Sequence, residues 1–142
     1  MTQSIDHLAR NDDLTRLNVL LVEDSYPVAQ SFTFLMEEYD WDIVGPAPTV
    51  EAAMKLVEQY ASTIDVAVLD INLQGHSVAP VAQKLREMSI PFVFLTGYGD
   101  ADAMLPAHFD EYPTLLKPVS EEELIAKVNA LIKSNGNPSD PN

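Results

Sequence analysis

Leu17-Asn18-Val19-Leu20-Leu21-Val22-Glu23-Asp24 is the stretch whose reading decides the fold. A nearly unbroken apolar run stops abruptly on two acids. Such a run reads as a strand buried on both faces of a parallel sheet, because a strand with one wet face would alternate polar and apolar residues. The pattern then changes period. Ser25 can cap a helix, Pro27 suits its first turn, and Val28, Phe32, Leu35, Met36 and Tyr39 fall on one helical face.

The alternation continues down the chain. Trp41-Asp42-Ile43-Val44 reads as a short strand closed by Gly45-Pro46, and Thr49 can cap a helix with the stripe Val50, Ala53, Met54, Val57 and Ala61. Val66-Ala67-Val68-Leu69 reads as a central strand, followed by a helical stripe of Val78, Val81, Ala82, Leu85 and Met88. Phe92-Val93-Phe94-Leu95 is a fourth strand and Thr114-Leu115-Leu116 a short fifth. Ser120 and Glu123 form a capping box ahead of Leu124, Val128, Leu131 and Ile132, with acids at the positive end of the helix dipole. Residues 98–112, with Gly99, Pro106 and scattered acids, leave room for only a short or mobile helix. Five strands alternating with helices predict an α/β fold, a doubly wound parallel sheet covered on both sides. Trp41 and the phenylalanines at helix and strand spacings are expected in the core.

Composition narrows the function. The 142 residues carry 22 Asp+Glu against 8 Lys+Arg, a formal charge of −14. That balance excludes a binder of nucleic-acid backbones and disfavours anionic membrane surfaces. With no cysteine, disulfides, thiolate metal sites and cysteine nucleophiles are excluded. At 46% hydrophobic residues the chain can build a sizeable core. No apolar run reaches the roughly 18–20 residues that span a bilayer, and the first 17 residues hold no signal-like stretch, so a cytoplasmic protein is expected. Residues 1–16 read as a polar N-terminal arm, 17–133 as one domain, and 134–142 as a disordered tail with nothing to bury. One domain's worth of chain leaves any output to a binding partner.

In doubly wound sheets ligands bind beyond the carboxyl ends of the strands. The residues there are Glu23-Asp24 after the first strand, Asp70 after the third, Thr96 after the fourth and Lys117-Pro118 after the fifth. Singly, each has an ordinary explanation as a helix cap, a turn former, a strand-end threonine or a solvated lysine. Jointly they do not. Three carboxylates at one sheet edge repel, so one takes a proton or the group holds a cation. Hard oxygen ligands, few in number, suit Mg²⁺. A hydroxyl and an ammonium opposite them suit the oxygens of a transferred phosphoryl group, whose chemistry is mostly positioning and charge compensation.

With these residues in this order, the chain resembles the receiver domain of two-component response regulators over about residues 17–133. The resemblance implies the flavodoxin-like receiver fold, with sheet order 2-1-3-4-5. It implies that Asp70 accepts a phosphoryl group from a phosphohistidine on a histidine kinase or phosphotransfer protein, as a switch or phosphate shuttle that is no enzyme in its own right. Asp24 and Asp70 would ligate Mg²⁺ directly, Glu23 through water, and Asn72 through its backbone carbonyl. Lys117 and Thr96 would bind phosphoryl oxygens, and the Lys117–Pro118 bond would be cis.

Pro91-Phe92-Val93-Phe94-Leu95-Thr96-Gly97-Tyr98 resembles the PFxFxTGY, or FATGUY, subgroup of receivers, which tend to be single-domain and to partner histidine kinases of the HWE type. Most receivers carry an aromatic where Thr114 stands, so an order–disorder shift of 97–112 is expected to carry the response instead. Asn72 and Tyr98, two residues beyond Asp70 and Thr96, are placed to tune dephosphorylation, although Tyr98 also reads as a packing aromatic. A haloacid-dehalogenase-like Asp phosphatase is the rival enzyme. It wants a second Asp two residues after its nucleophile, where this chain has Asn72, which cannot transfer a proton. A non-phosphorylated pseudo-receiver is the other rival, opposed by retention of the whole acidic, Thr and Lys set. His7, His76 and His108 fit no metal-ligand spacing and read as surface residues.

Overall fold

The computed structural model describes residues 16–134. All of the expected arm but Arg16, and all of the expected tail but Ser134, lie outside the described residues. The main sheet contains β1 (Asn18–Val22), β2 (Asp42–Ala47), β3 (Val66–Asp70), β4 (Phe92–Thr96) and β5 (Thr114–Leu116). Between them run α1 (Tyr26–Glu38), α2 (Val50–Tyr60), α3 (Ala79–Glu87) and the short α4 (Asp100–Met104), and α5 (Glu121–Ser134) closes the fold. All neighbouring strands pair in parallel, in the order β2-β1-β3-β4-β5, which is the doubly wound 2-1-3-4-5 arrangement.

The unbroken apolar runs are explained by what lies on each side. On one face Leu20, Val22, Ala67, Leu69, Phe92 and Phe94 pack with α2 and α3. On the other, Val19, Leu21, Val66, Val68, Val93 and Leu95 pack with α1 and α5. Alternate residues of each central strand therefore enter different cores, and neither set reaches water. The capping box ahead of α5 forms reciprocally. The Glu123 N–H donates to Ser120 Oγ at 3.0 Å, and the Ser120 N–H donates to Glu123 Oε1 at 3.1 Å.

Some local readings need correction. β2 does not close at Gly45-Pro46 but runs on to Ala47, through a cis Gly45–Pro46 bond and a register irregularity against β1. Gly45 has φ +104°, and a Cβ there would come within 2.8 Å of the Ala47 nitrogen and 3.0 Å of the Leu21 carbonyl oxygen, so glycine permits the close approach of the two strands. The buried face of α1 is Ala29, Phe32, Leu35 and Met36, with Val28 and Tyr39 on its exposed flanks; Met88, just past α3, is exposed too. Trp41 is buried, as expected of a core residue. A small antiparallel ribbon, Asn72–Leu73 with His76–Ser77, follows β3 and has no counterpart in the sequence reading. Its turn residues Gln74 and Gly75 both have positive φ, at 56° and 89°, the backbone that a two-residue hairpin turn matched to strand twist requires.

The stretch from 98 to 112 holds only the five-residue α4 and a 3₁₀ turn at Ala107–Phe109. Its anchors are aromatic. Tyr112 stacks on Phe92 with centroids 4.9 Å apart, and Phe109 meets Phe94 edge-on at 5.7 Å. Among the described residues no helix is long and apolar enough to cross a membrane.

Candidate functional site

The sheet order brings the ends of β1, β3 and β4 side by side, with Lys117 immediately past the edge strand β5. Glu23 continues the line of β1, its N–H donating to the Ala47 carbonyl at 3.0 Å. Its carboxylate folds back so that Oε2 accepts the Ser25 N–H at 3.0 Å. Ser25 is also the cap of α1, accepting the Val28 N–H at 3.4 Å. Helix start and acidic site are thus built from the same turn.

Asp70, the last residue of β3, has both carboxylate oxygens engaged. Oδ1 accepts the Asn72 N–H at 3.2 Å, and Oδ2 lies 2.9 Å from Lys117 Nζ. Lys117 is held by its backbone, which donates to the Thr96 carbonyl at 2.8 Å, and the following Lys117–Pro118 bond is cis. Its Nζ also lies 3.9 Å from Glu23 Oε1. Oxygens of Glu23, Asp24 and Asp70, one from each, fall within 4.8 Å of one another.

Burial sets the electrostatics. Glu23 and Asp70 are only 2% and 1% exposed, whereas Asp24 is half-buried. Desolvation pushes the Glu23 carboxyl from its ordinary 4.5 up to about 7; the Asp70 charge pushes the same way, while the Ser25 N–H and Lys117 oppose it. Asp70 is also raised, again by burial first, against the opposing hydrogen bond and charge of Lys117. Burial works to lower Lys117, but the hydrogen bond to Asp70 and the surrounding carboxylates outweigh it and the ammonium titrates above its usual range. One polar atom is left over: Glu23 Oε1 is buried without a hydrogen-bond partner among the described residues. A buried orphan acceptor costs about 1–3 kcal/mol, more when charged. Three clustered carboxylates with an orphan oxygen and a single nearby ammonium form a donor set suited to a hard divalent cation.

The remaining sequence candidates are placed as follows. Thr96 is buried at the end of β4, with its hydroxyl donating to the Gly97 carbonyl at 2.9 Å. Asn72 is half-buried, and its side-chain oxygen accepts the Gly75 N–H at 2.6 Å within the ribbon turn. Tyr98 is 98% exposed, which rules out the packing-aromatic reading. His76 and His108 are exposed; His7 lies outside the described residues. Sequence reasoning missed the two main-chain donors, Ser25 N–H and Asn72 N–H, that orient the carboxylates; the Ser25 capping signal pointed to that turn but not to its second use. It also missed an open groove of about 520 Å³ beside the site, lined by Pro27, Val28, Phe32, Leu95, Lys117 and Pro118 among others.

Comparison with known proteins accords with this geometry. The family described as response regulator receiver domain matches residues 19–129. The sensory transduction protein RegX3 of Mycolicibacterium smegmatis is 32% identical over 129 residues, covering 87% of this chain and 54% of the relative. The transcriptional regulatory protein CpxR homolog of Haemophilus influenzae is 28% identical over 123 residues, covering 85% of this chain and 52% of the relative. The chain spans about half the length of these curated relatives. Among solved structures, SdrG from Sphingomonas melonis Fr1 is 34% identical with a TM-score of 0.70, covering 83% of this chain and 98% of that one. A receiver domain protein from Clostridium thermocellum, 20% identical with a TM-score of 0.72, covers 83% of this chain and 95% of its own, and attests the fold alone.

Proposed function

The chain belongs to the response regulator receiver family, a signalling module rather than a classical enzyme, and from that premise we propose that it accepts a phosphoryl group on Asp70 in a Mg²⁺-dependent reaction. The observation that carries the reading is the 2.9 Å contact of Lys117 Nζ with Asp70 Oδ2, inside a pocket shared with Glu23 and Asp24. A carboxylate oxygen of Asp70 attacks the phosphorus of a phosphohistidine; the P–O bond forms, the P–N bond breaks, and the electron pair returns to the imidazole, which takes up a proton. Lys117 already faces that carboxylate and neutralises a phosphoryl oxygen as charge accumulates. Thr96 supplies a hydroxyl to another oxygen once it exchanges its bond to the Gly97 carbonyl. Asp24, Asp70 and the Asn72 carbonyl would hold the cation, with Glu23 contributing through water. A bound Mg²⁺ supplies the positive charge that lets these acids remain ionised next to a phosphoryl group.

In this reading residues 17–133 form the receiver, in a cytoplasmic protein that binds neither nucleic acid nor membrane. The donor is a histidine kinase or phosphotransfer protein. The stretch Pro91–Tyr98 supports membership of the PFxFxTGY subgroup and, with it, a donor of the HWE type. The phosphorylated form acts as a switch or as a phosphate shuttle and sink. Tyr98 and Asn72, two residues beyond Thr96 and Asp70, tune the lifetime of the acyl phosphate.

The test is incubation with Mg²⁺ and acetyl phosphate followed by intact-mass measurement. A gain of one phosphoryl group, absent in Asp70→Ala, supports the proposal. Turnover of phosphomonoesters would move the protein to the phosphatase reading, and neither outcome would leave a pseudo-receiver.

A further inference from the structure

Helix α4 is held lightly, through half-buried Ala101 and Met104 packed against the core. It has five residues, none of them buried, and a helix this short does not persist by backbone hydrogen bonding alone. Its last carbonyls are the groups a helix end leaves unpaired. One of these, the Met104 carbonyl, accepts the Ser77 hydroxyl at 2.8 Å, a bond between positions 27 apart in the chain. The same Ser77 oxygen accepts the Ala79 N–H at 3.0 Å at the start of α3, so its position is fixed from both sides.

Ser77 lies on the second strand of the ribbon that follows Asp70. Asn72 begins that ribbon, pairs directly with Ser77, and donates its N–H to Asp70 Oδ1. The Asp70 carboxylate is thus tied by a hydrogen bond to Asn72, Asn72 stands directly opposite Ser77 in a ribbon closed by the Val78 N–H donating to the Ile71 carbonyl at 3.0 Å, and Ser77 is hydrogen-bonded to the end of α4. At Thr114 the chain has a hydroxyl that donates to the Tyr112 carbonyl two residues away, a local bond that ties nothing to the site. The aromatic side chains Phe109 and Tyr112 are buried and packed on Phe92.

We infer that Ser77 is a positioning residue that relays occupancy of Asp70 to α4, the Ser77–Met104 hydrogen bond being the element that is made or broken. The inference rests on Asp70 being the phosphoryl acceptor. A phosphoryl group on Asp70 changes what the Asn72 N–H meets, the ribbon shifts with it, and the Ser77 hydroxyl moves relative to a helix end otherwise held only by the half-buried Met104 and Leu105.

Hydrogen exchange read by mass spectrometry on the full chain tests this, with and without Mg²⁺ and acetyl phosphate, in the wild type, Ser77→Ala and Ser77→Thr. In the unphosphorylated protein Ser77→Ala should raise exchange over 100–105 by roughly tenfold, the loss expected for one hydrogen bond, while Ser77→Thr retains protection. On phosphorylation the wild type and Ser77→Thr should change their exchange over 98–112. Ser77→Ala should gain the same phosphoryl mass yet show no change there. If Ser77→Ala responds like the wild type, or if its α4 amides are as protected as before, the relay is overturned. A wild type that takes up no phosphoryl group overturns instead the reading of Asp70 on which the relay depends.

Discussion

Replacing Glu23 by Gln should flatten the pH dependence of stability of the metal-free protein. Glu23 is buried, its Oε1 has no partner among the described residues, and burial pushes its carboxyl from 4.5 up to about 7. A native value above the unfolded one means that the folded protein holds the proton more tightly. The resulting stabilisation is fully present below about pH 4.5 and is lost as pH rises through 7. Each tenfold change in proton affinity is worth about 1.4 kcal/mol, so ionising Glu23 costs the native state about 3 kcal/mol across that window. Asp70, raised by the same burial, adds in the same direction. Gln preserves the volume and an acceptor for the Ser25 N–H and has no proton to exchange. Urea unfolding in EDTA at pH 4.5 and pH 8 should therefore show a loss of stability smaller by about 3 kcal/mol in Glu23→Gln than in the wild type. At pH 8 the variant should be the more stable of the two. Equal losses in both proteins would refute the idea that a buried, ionised Glu23 destabilises the protein in EDTA.

Mg²⁺ should raise the melting temperature at pH 8, with a stabilisation of about 2.7 kcal/mol at a hundredfold excess over its dissociation constant, and Asp24→Asn should lose most of that increment; calorimetry with and without EDTA measures both. Lys117→Ala should keep the Mg²⁺-dependent stabilisation yet slow phosphoryl uptake from acetyl phosphate by about two orders of magnitude, followed by intact mass against time, since it removes the cation facing the transferred group. Tyr98→Ala should leave unfolding free energy within about 0.5 kcal/mol of wild type, as befits so exposed a side chain, while shortening the lifetime of the phosphorylated form in a chase with EDTA. An unchanged lifetime would remove Tyr98 from the tuning role.

The three central strands were legible because each is a nearly unbroken apolar run, and burial on both faces demands such a run. β2 differs at its end because Gly45-Pro46 reads as a terminator, whereas here the positive φ of Gly45 lets the edge strand continue, with a register irregularity, to Ala47 opposite Val22. The ribbon after Asp70 spans too few residues for a period-2 signal, leaving only the Gln74-Gly75 turn to announce it. At the site, the side chains that converge were those standing at strand ends, which hydropathy marks clearly. What orients them was not visible. The Ser25 and Asn72 N–H groups act through the main chain, whose direction no residue type encodes, and the orphaned Oε1 of Glu23 depends on the packed environment rather than on its neighbours in sequence.

The chemistry at position 70 is open to direct capture. Borohydride reduces an acyl phosphate of aspartate to homoserine, so treating the protein after incubation with acetyl phosphate and mapping its peptides locates the bond that formed. The account predicts homoserine in place of Asp70, dependent on Mg²⁺ and absent when EDTA is added first. Homoserine at Asp24 or another aspartate instead, or none at all after full exposure to donor and Mg²⁺, would contradict it.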